Sequence, residues 1–365
     1  MASITEKFIR KLKQLDIGRI NLMEVCGTHT MAIARSGLRD LLPDNFNLLS
    51  GPGCPVCVTP QETIDYAILL AQQKDIIMTT FGDMVRVPGS TGTLEQHTPV
   101  IVYSALDALK VAQTNPDKQV VFIGVGFETT SPTIAATVLT AQEQQIGNFS
   151  VLPSFRLIPP ALRFIAGSPK INVHGLILPG HVSVIIGSQP YEFLAREFSI
   201  PGCITGFEPI DILHGILNLA QQIAEKKAYI AIEYSRVVDP EGNKSAQAII
   251  DQVFTVCDAE WRGIGTIPRS GLTFNKKFKG YNSIHRFKIK VPKSKVPRGC
   301  RCGEVLLGLI VPPECRLFGK TCVPSSPIGP CMVSSEGACA AYYKYGPTRH
   351  KCKAGKRHNR AKRAD

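Results

Sequence analysis

Short apolar runs, small polar loops and stretches of helical spacing follow one another along most of the chain. Glu6–Leu15 alternates charged and apolar positions at helical spacing, which predicts a surface helix. Ile20–Val25 then has strand character, Cys-Gly-Thr-His-Thr follows as a loop, and Met31–Leu42 has helical spacing. Phe46–Leu49 leads into Gly51-Pro-Gly-Cys-Pro-Val-Cys and a helix from Thr59 through Ala71. Asp75–Thr80 leads into Phe81-Gly-Asp-Met-Val-Arg-Val-Pro-Gly-Ser, and Val100–Val111 supplies another strand and helix. After the polar stretch Gln113–Lys118 a similar series begins. It comprises the strand Val120–Val125, the loop Gly126-Phe-Glu-Thr-Thr-Ser and a helix near Pro132–Gln145. The strand Gly175–Leu178 precedes Pro179-Gly-His-Val-Ser. Ile200–Thr205 precedes Gly206-Phe-Glu-Pro-Ile-Asp and a helix to about Glu225. Ser245–Val256 reads as a helix, and Gly263–Gly271 with Phe287–Val291 as loop and short strand.

Strands alternating with helices predict an α/β protein with largely parallel sheets. Two series predict two α/β domains, 1–118 and 119–240, facing a cleft. A linker and Cys-rich segment follow at 241–345, and a basic tail at 346–365. Ligands in such folds bind at the carboxyl ends of strands. Cys26–Thr30, Gly51–Cys57, Gly126–Thr130, Pro179–Ser183 and Gly206–Asp211 all fall there.

Composition narrows the class. With 365 residues, 44% hydrophobic and 19% charged, the chain can bury a sizeable core and is not intrinsically disordered. No apolar run approaches the ~18 residues of a membrane helix. Met1–Arg10 lacks the apolar centre of a secretory leader, so a cytoplasmic protein is expected. The net charge of +13 is mostly a tail: Lys344–Asp365 holds nine lysines and arginines against one acid. That tail has no interleaved aromatics, so it reads as a solvated extension rather than a nucleic-acid arm.

Twelve cysteines change the picture most. Without a secretory leader, metal binding or thiol redox chemistry is preferred over a disulfide framework. Cys26 lies between a strand and a helix, so its sulfur is expected at a helix N-terminus as a thiolate, with His29 three residues on to give a proton or hydrogen bond. Cys54 and Cys57 have the spacing of a redox pair or of two metal ligands. Cys315, Cys322, Cys331 and Cys339 lack both ferredoxin and zinc-ribbon spacing. A cubane iron–sulfur cluster, zinc and reactive thiols all remain open for them, with Cys300 and Cys302 a redox-active pair nearby. The loop carrying Glu128 can hold an anion, and His181 and Glu208 are acid–base or hydrogen-bonding candidates in the cleft.

Several of these strings occur together in one family. Met23-Glu-Val-Cys-Gly-Thr-His-Thr, Gly51-Pro-Gly-Cys-Pro-Val-Cys, Phe81-Gly-Asp-Met-Val-Arg-Val-Pro-Gly-Ser, Gly126-Phe-Glu-Thr-Thr, Pro179-Gly-His-Val-Ser, Glu314-Cys-Arg-Leu-Phe-Gly-Lys-Thr-Cys and Pro330-Cys-Met-Val-Ser-Ser-Glu-Gly-Ala-Cys stand in family order. Over about residues 10–345 the chain resembles the HypD family, hydrogenase formation proteins that scaffold assembly of the Fe(CN)2CO centre of nickel–iron hydrogenases.

The resemblance implies two α/β domains and a small C-terminal iron–sulfur domain. It implies a 4Fe–4S cluster on Cys315, Cys322, Cys331 and Cys339. It makes Cys26 the thiolate that holds the transient Fe(CN)2CO unit together with a HypC-type small chaperone, with cyanide from a HypE-type donor. Cys54 and Cys57 would be redox-active and fed by the cluster. Cys26, His29, Cys54, Cys57, Glu128 and His181 are then the expected working residues, with Arg86 placed to attract anionic groups. The alternative is a free-standing iron–sulfur thiol–disulfide oxidoreductase. The tail, with Cys352, lies outside the family pattern.

Overall fold

The computed structural model describes residues 4–295 and 297–346. The basic tail beyond residue 346, including Cys352, lies outside the described residues. Eleven strands are named in chain order: β1 (Ile20–Glu24), β2 (Phe46–Ser50), β3 (Ile76–Thr80), β4 (Val100–Ile101), β5 (Gln119–Gly126), β6 (Phe149–Arg156), β7 (Gly175–Pro179), β8 (Gly202–Thr205), β9 (Ile230–Ile232), β10 (Phe254–Trp261) and β11 (Gly265–Phe274). They form two sheets. One is five-stranded in the order β2-β1-β7-β8-β9, and every pairing in it is parallel. The other is six-stranded in the order β10-β11-β6-β5-β3-β4. Its β6, β5, β3 and β4 are parallel, and the β10–β11 hairpin adds antiparallel to β6.

The α/β expectation with parallel-rich sheets is met. The strands, however, interleave along the chain. The first sheet takes β1 and β2 from 1–118 and β7 to β9 from 119–240, so the position 118/119 does not separate the sheets. Periodicity fixes where a strand is. It does not fix that β1 pairs with β7, about 150 residues away.

Both faces of each sheet are covered, as parallel sheets require. Ile20 and Leu22 pack with Ile33, Ile177 and Ile216 on the outer face of the first sheet. Met23 and Val25 join Leu176, Leu178, Val121, Ile123 and Val125 in a core shared by both sheets. Val120, Phe122, Phe149 and Val151 cover the outer face of the second. The period-2 switch between Leu22 and Met23 therefore chooses outer or shared core.

Several elements differ from the sequence reading. Phe287, expected to open a short strand to Val291, instead ends the helix Ser283–Phe287, and 288–291 form no strand. Strand β6 falls in a stretch to which the sequence reading assigned no element, and it carries Pro153, a residue uncommon in a central strand. Its neighbours are nevertheless buried on both faces. The expected helix Ser245–Val256 spans Lys244–Val253 and gives way at Phe254 to β10. The expected loop Gly263–Gly271 lies in the turn and in β11. Gly263, at φ 73°, and Gly265, at φ 110°, make that hairpin turn possible. Among the described residues no helix is long and apolar enough to cross a membrane.

Candidate functional site

Strand ends from both sheets carry the expected site residues. Strand β1 ends at Glu24, and Cys26 is the extended N-cap residue of the helix Gly27–Ser36. The neighbouring loop after β2 presses onto it. Gly27 N donates to Gly53 O at 2.9 Å, and Gly51 N donates to Glu24 O at 2.7 Å. A Cβ on Gly53 would lie 2.2 Å from Cys26 N, so this approach needs glycine.

Cys26 is 8% exposed. Burial, with the Glu336 carboxylate as the next cause, pushes its thiol up to about 12, although the amides of His29 and Thr28 pull the other way. The expected thiolate at a helix N-terminus is thus corrected: desolvation outweighs the helix end, and the free site holds a neutral thiol.

Beneath Cys26 lies Glu24, a buried carboxylate that sequence reasoning missed. It accepts from Thr30 Oγ1 at 2.7 Å and from Cys26 N at 3.4 Å. Burial raises it to about 7, against Thr30, Arg39 and Ser50. An acid closing the strand Ile20–Glu24, two residues before Cys26, was the available signal.

His29 is fully buried, and burial draws its pKa down to about 4. Its Nε2 lies 2.9 Å from both Gly206 O and Thr205 Oγ1. A carbonyl oxygen only accepts, so Nε2 carries the proton of a neutral ring. Nδ1 is then a lone-pair acceptor, buried without a partner among the described residues. His29 thus ties the helix after β1 to the end of β8 rather than serving as a ready acid. Its ring stacks on Phe207 at 4.9 Å, and the His181 ring lies 3.9 Å from the same Phe207. His181 is exposed. Glu208 is the exposed N-cap residue of the helix Pro209–Ala224 and makes no side-chain cap bond.

Cys54 and Cys57 are joined by a disulfide at the short helix Pro55–Val58, and both are buried. Glu128, after β5, is buried and raised to about 7 by desolvation. One oxygen accepts from Ile158 N at 2.9 Å, and Oε2 has no partner among the described residues.

The segment Ser334–Glu336 straps these loops together. Asp83 Oδ2 accepts from Ser334 Oγ at 3.1 Å, Ser335 N at 2.9 Å and Ser335 Oγ at 2.8 Å. Thr28 Oγ1 donates to Glu336 Oε1 at 2.8 Å. Arg86 is exposed, and one N–H of its Nη2 donates to Pro324 O at 2.8 Å.

The C-terminal cysteines come together. Cys300, Cys302, Cys315, Cys322 and Cys339 line one recess with Leu317, Phe318 and Met332. Cys302 lies within hydrogen-bonding reach of both Cys331 and Cys339, and those two of each other, which raises Cys331 and lowers Cys339. Cys300 Sγ is 3.2 Å from Cys302 Sγ, and Cys315 Sγ is 3.8 Å from Gly299 O. The recess therefore gathers the expected four and the expected pair alike. Among the described residues, no group of three or more His, Cys, Asp or Glu already has metal-holding geometry. The fit to a cluster rests on the donor set, thiols in an apolar recess.

Fold and site define a two-sheet α/β protein built around buried cysteines at converging strand ends, under a strap from the cysteine-rich C-terminal segment. The chain belongs to the HypD family: the family described as "HypD: Hydrogenase formation hypA family" matches residues 3–346. It is 44% identical over 341 residues to hydrogenase maturation factor HypD of Cupriavidus necator, covering 90% of each chain. It is 43% identical over 332 residues to hydrogenase maturation factor HypD of Escherichia coli K12, covering 89% of each. To a putative hydrogenase expression/formation protein of Methanocaldococcus jannaschii it is 41% identical over 350 residues, covering 94% of this chain and 97% of that one. Its role is hydrogenase maturation, and the free-standing oxidoreductase reading is not favoured.

Proposed function

We propose that this chain is the scaffold on which the Fe(CN)2CO unit of a nickel–iron hydrogenase is assembled, with Cys26 as the protein's ligand to the iron. The observation that carries this reading is the placement of Cys26. Its buried thiol stands where Gly53 and the disulfide loop meet the end of β1, beneath the strap at Glu336. Soft sulfur suits low-spin iron, and burial shelters it from water. A neutral thiol must lose its proton as the metal arrives, so iron capture releases a proton. Glu336, whose carboxylate acts on the Cys26 thiol, and Glu24, bonded to Cys26 N, are the carboxylates placed to carry charge in that exchange. His29 fixes the helix behind Cys26 by its bond to Gly206 O.

Cys315, Cys322, Cys331 and Cys339 would hold a 4Fe–4S cluster, which supplies electrons when bound. The disulfide Cys54–Cys57 is the thiol pair to be reduced. Cys331 stands three residues before Ser334, whose hydroxyl lies beside Cys54. A HypC-type chaperone and a HypE-type cyanide donor are the expected partners, and the exposed His181, stacked on half-buried Phe207, lies at the rim they would approach.

Anaerobic co-purification with the HypC-type chaperone tests the reading. Iron–sulfur absorption together with infrared cyanide and carbonyl stretching bands is expected. Absorption without such bands would reject the scaffold and leave a thiol oxidoreductase.

A further inference from the structure

Arg262 is a charged residue that neither the expected cluster ligands nor the disulfide explains. It is 7% exposed, and its Nη1 is buried without a hydrogen-bond partner among the described residues. An unpaired buried cation is costly, so a residue of this kind calls for an anion close by. The nearest candidate on the carboxylate side is Asp65, but its oxygens are occupied by Ser90 N and Ser90 Oγ, each at 2.6 Å, and by Gln61.

The backbone places Arg262 between the two sulfur centres. Arg262 N donates to Val58 O at 2.8 Å, one residue beyond Cys57. The next residue, Gly263, packs against Gly303, one residue beyond Cys302. A Cβ on Gly303 would lie 2.1 Å from Gly263 O. The β10–β11 turn is thus wedged between the disulfide helix and the helix Cys302–Leu306. The groups that act on the guanidinium to offset its burial are the sulfurs of Cys302 and Cys300, the pair in the same recess as the expected ligands, then the ligand Cys331, followed by Asp65.

We propose that Arg262 is the fixed counter-cation of the cysteine-held cluster, a positioning residue that neutralises thiolate charge in the recess and anchors that recess to the Cys54–Cys57 helix. This rests on the cluster reading above. A cation held close to a thiolate-bound cluster favours its more negative, reduced state and slows its loss. Without the cluster the same cation is a liability.

The test uses the full chain in iron-free and reconstituted forms, with Arg262→Gln and Arg262→Lys. For Arg262→Gln three results are expected: a lower cluster midpoint potential in a spectroelectrochemical titration, cluster loss to a chelator faster by roughly 10–100-fold, and an iron-free melting temperature equal to or above that of the unsubstituted chain. Arg262→Lys should restore most of the potential. An unchanged potential and loss rate, or an iron-free Gln variant that melts earlier or does not fold, would overturn the proposal and make Arg262 a packing residue. Iron and sulfide analysis of the unsubstituted protein separates the two levels. Absence of a cluster there would overturn both this inference and the reading it rests on, whereas a cluster with an unmoved potential overturns this inference alone.

Discussion

Ser334 Oγ lies 3.3 Å from Cys54 Sγ, across 280 residues of chain. The same hydroxyl donates to Asp83 and accepts from Glu336 N. Its one proton goes to Asp83, so toward Cys54 it is an acceptor, placed to take the hydrogen bond of the Cys54 thiol once the disulfide opens. Ser334→Ala should shift the Cys54/Cys57 equilibrium toward the disulfide by about fivefold, the equivalent of one hydrogen bond of about 1 kcal/mol. Alkylation with a mass tag in defined glutathione buffers measures this. An unchanged oxidised fraction would show that the contact is packing only.

The cysteine recess makes a sharp prediction, because Cys302 lies beside Cys331. Serine at Cys315, Cys322, Cys331 or Cys339 should bleach the visible absorption of the anaerobically purified protein. Serine at Cys300 or Cys302 should leave it. Loss at Cys302 with tolerance at Cys315 would reassign the ligands.

Glu128 gives a pH dependence of known sign. Its carboxyl titrates near 4.5 when unfolded and about 7 when folded. Between those values the folded chain binds more protons, so stability falls as pH rises through that window and stays lower above it. Glu128→Gln keeps an acceptor for Ile158 N and removes the buried charge. It should gain about 2 kcal/mol at pH 8 and almost nothing below pH 4.5. Melting curves at both pH values check it, and an equal effect at both would contradict the burial argument.

Gly53→Ala should cost roughly 2–4 kcal/mol, since the new methyl would sit 2.2 Å from Cys26 N and the loop must retreat. Gly147 has nothing within 4 Å of an added Cβ, so Gly147→Ala should stay within about 0.5 kcal/mol of the unsubstituted protein. Denaturant titration of the two variants measures the difference.

The strand–loop–helix units of β1, β2, β3, β5, β7 and β8 were legible because each shows its own periodicity and ends at a loop of small residues. Sheet membership was not, because pairing such as Leu22 with Gly175 leaves no local trace. Strand β6 was left without an element, and β10 was hidden by a helical reading of its first residues. At the site, Cys26, Cys54 and Cys57 stood out because paired or loop cysteines are chemically conspicuous. Glu24, Ser334, Glu336 and Arg262 did not. Thr28 meets Glu336 across 308 residues, and a lone acid or serine signals nothing until that contact forms. The protonation of Cys26 was misjudged for a related reason: helix position is visible in sequence, while burial beside Glu336 is not.

The most direct measurement is infrared spectroscopy of the Cys26→Ser protein, co-purified anaerobically with the HypC-type chaperone. Serine keeps size and polarity but is a far poorer ligand for low-spin iron. The expected protein folds, retains its cluster absorption and binds the chaperone at least in part, yet lacks the cyanide and carbonyl stretching bands, while His29→Ala weakens them less. Bands of normal intensity in Cys26→Ser would contradict this assignment and move the iron to Cys54 and Cys57.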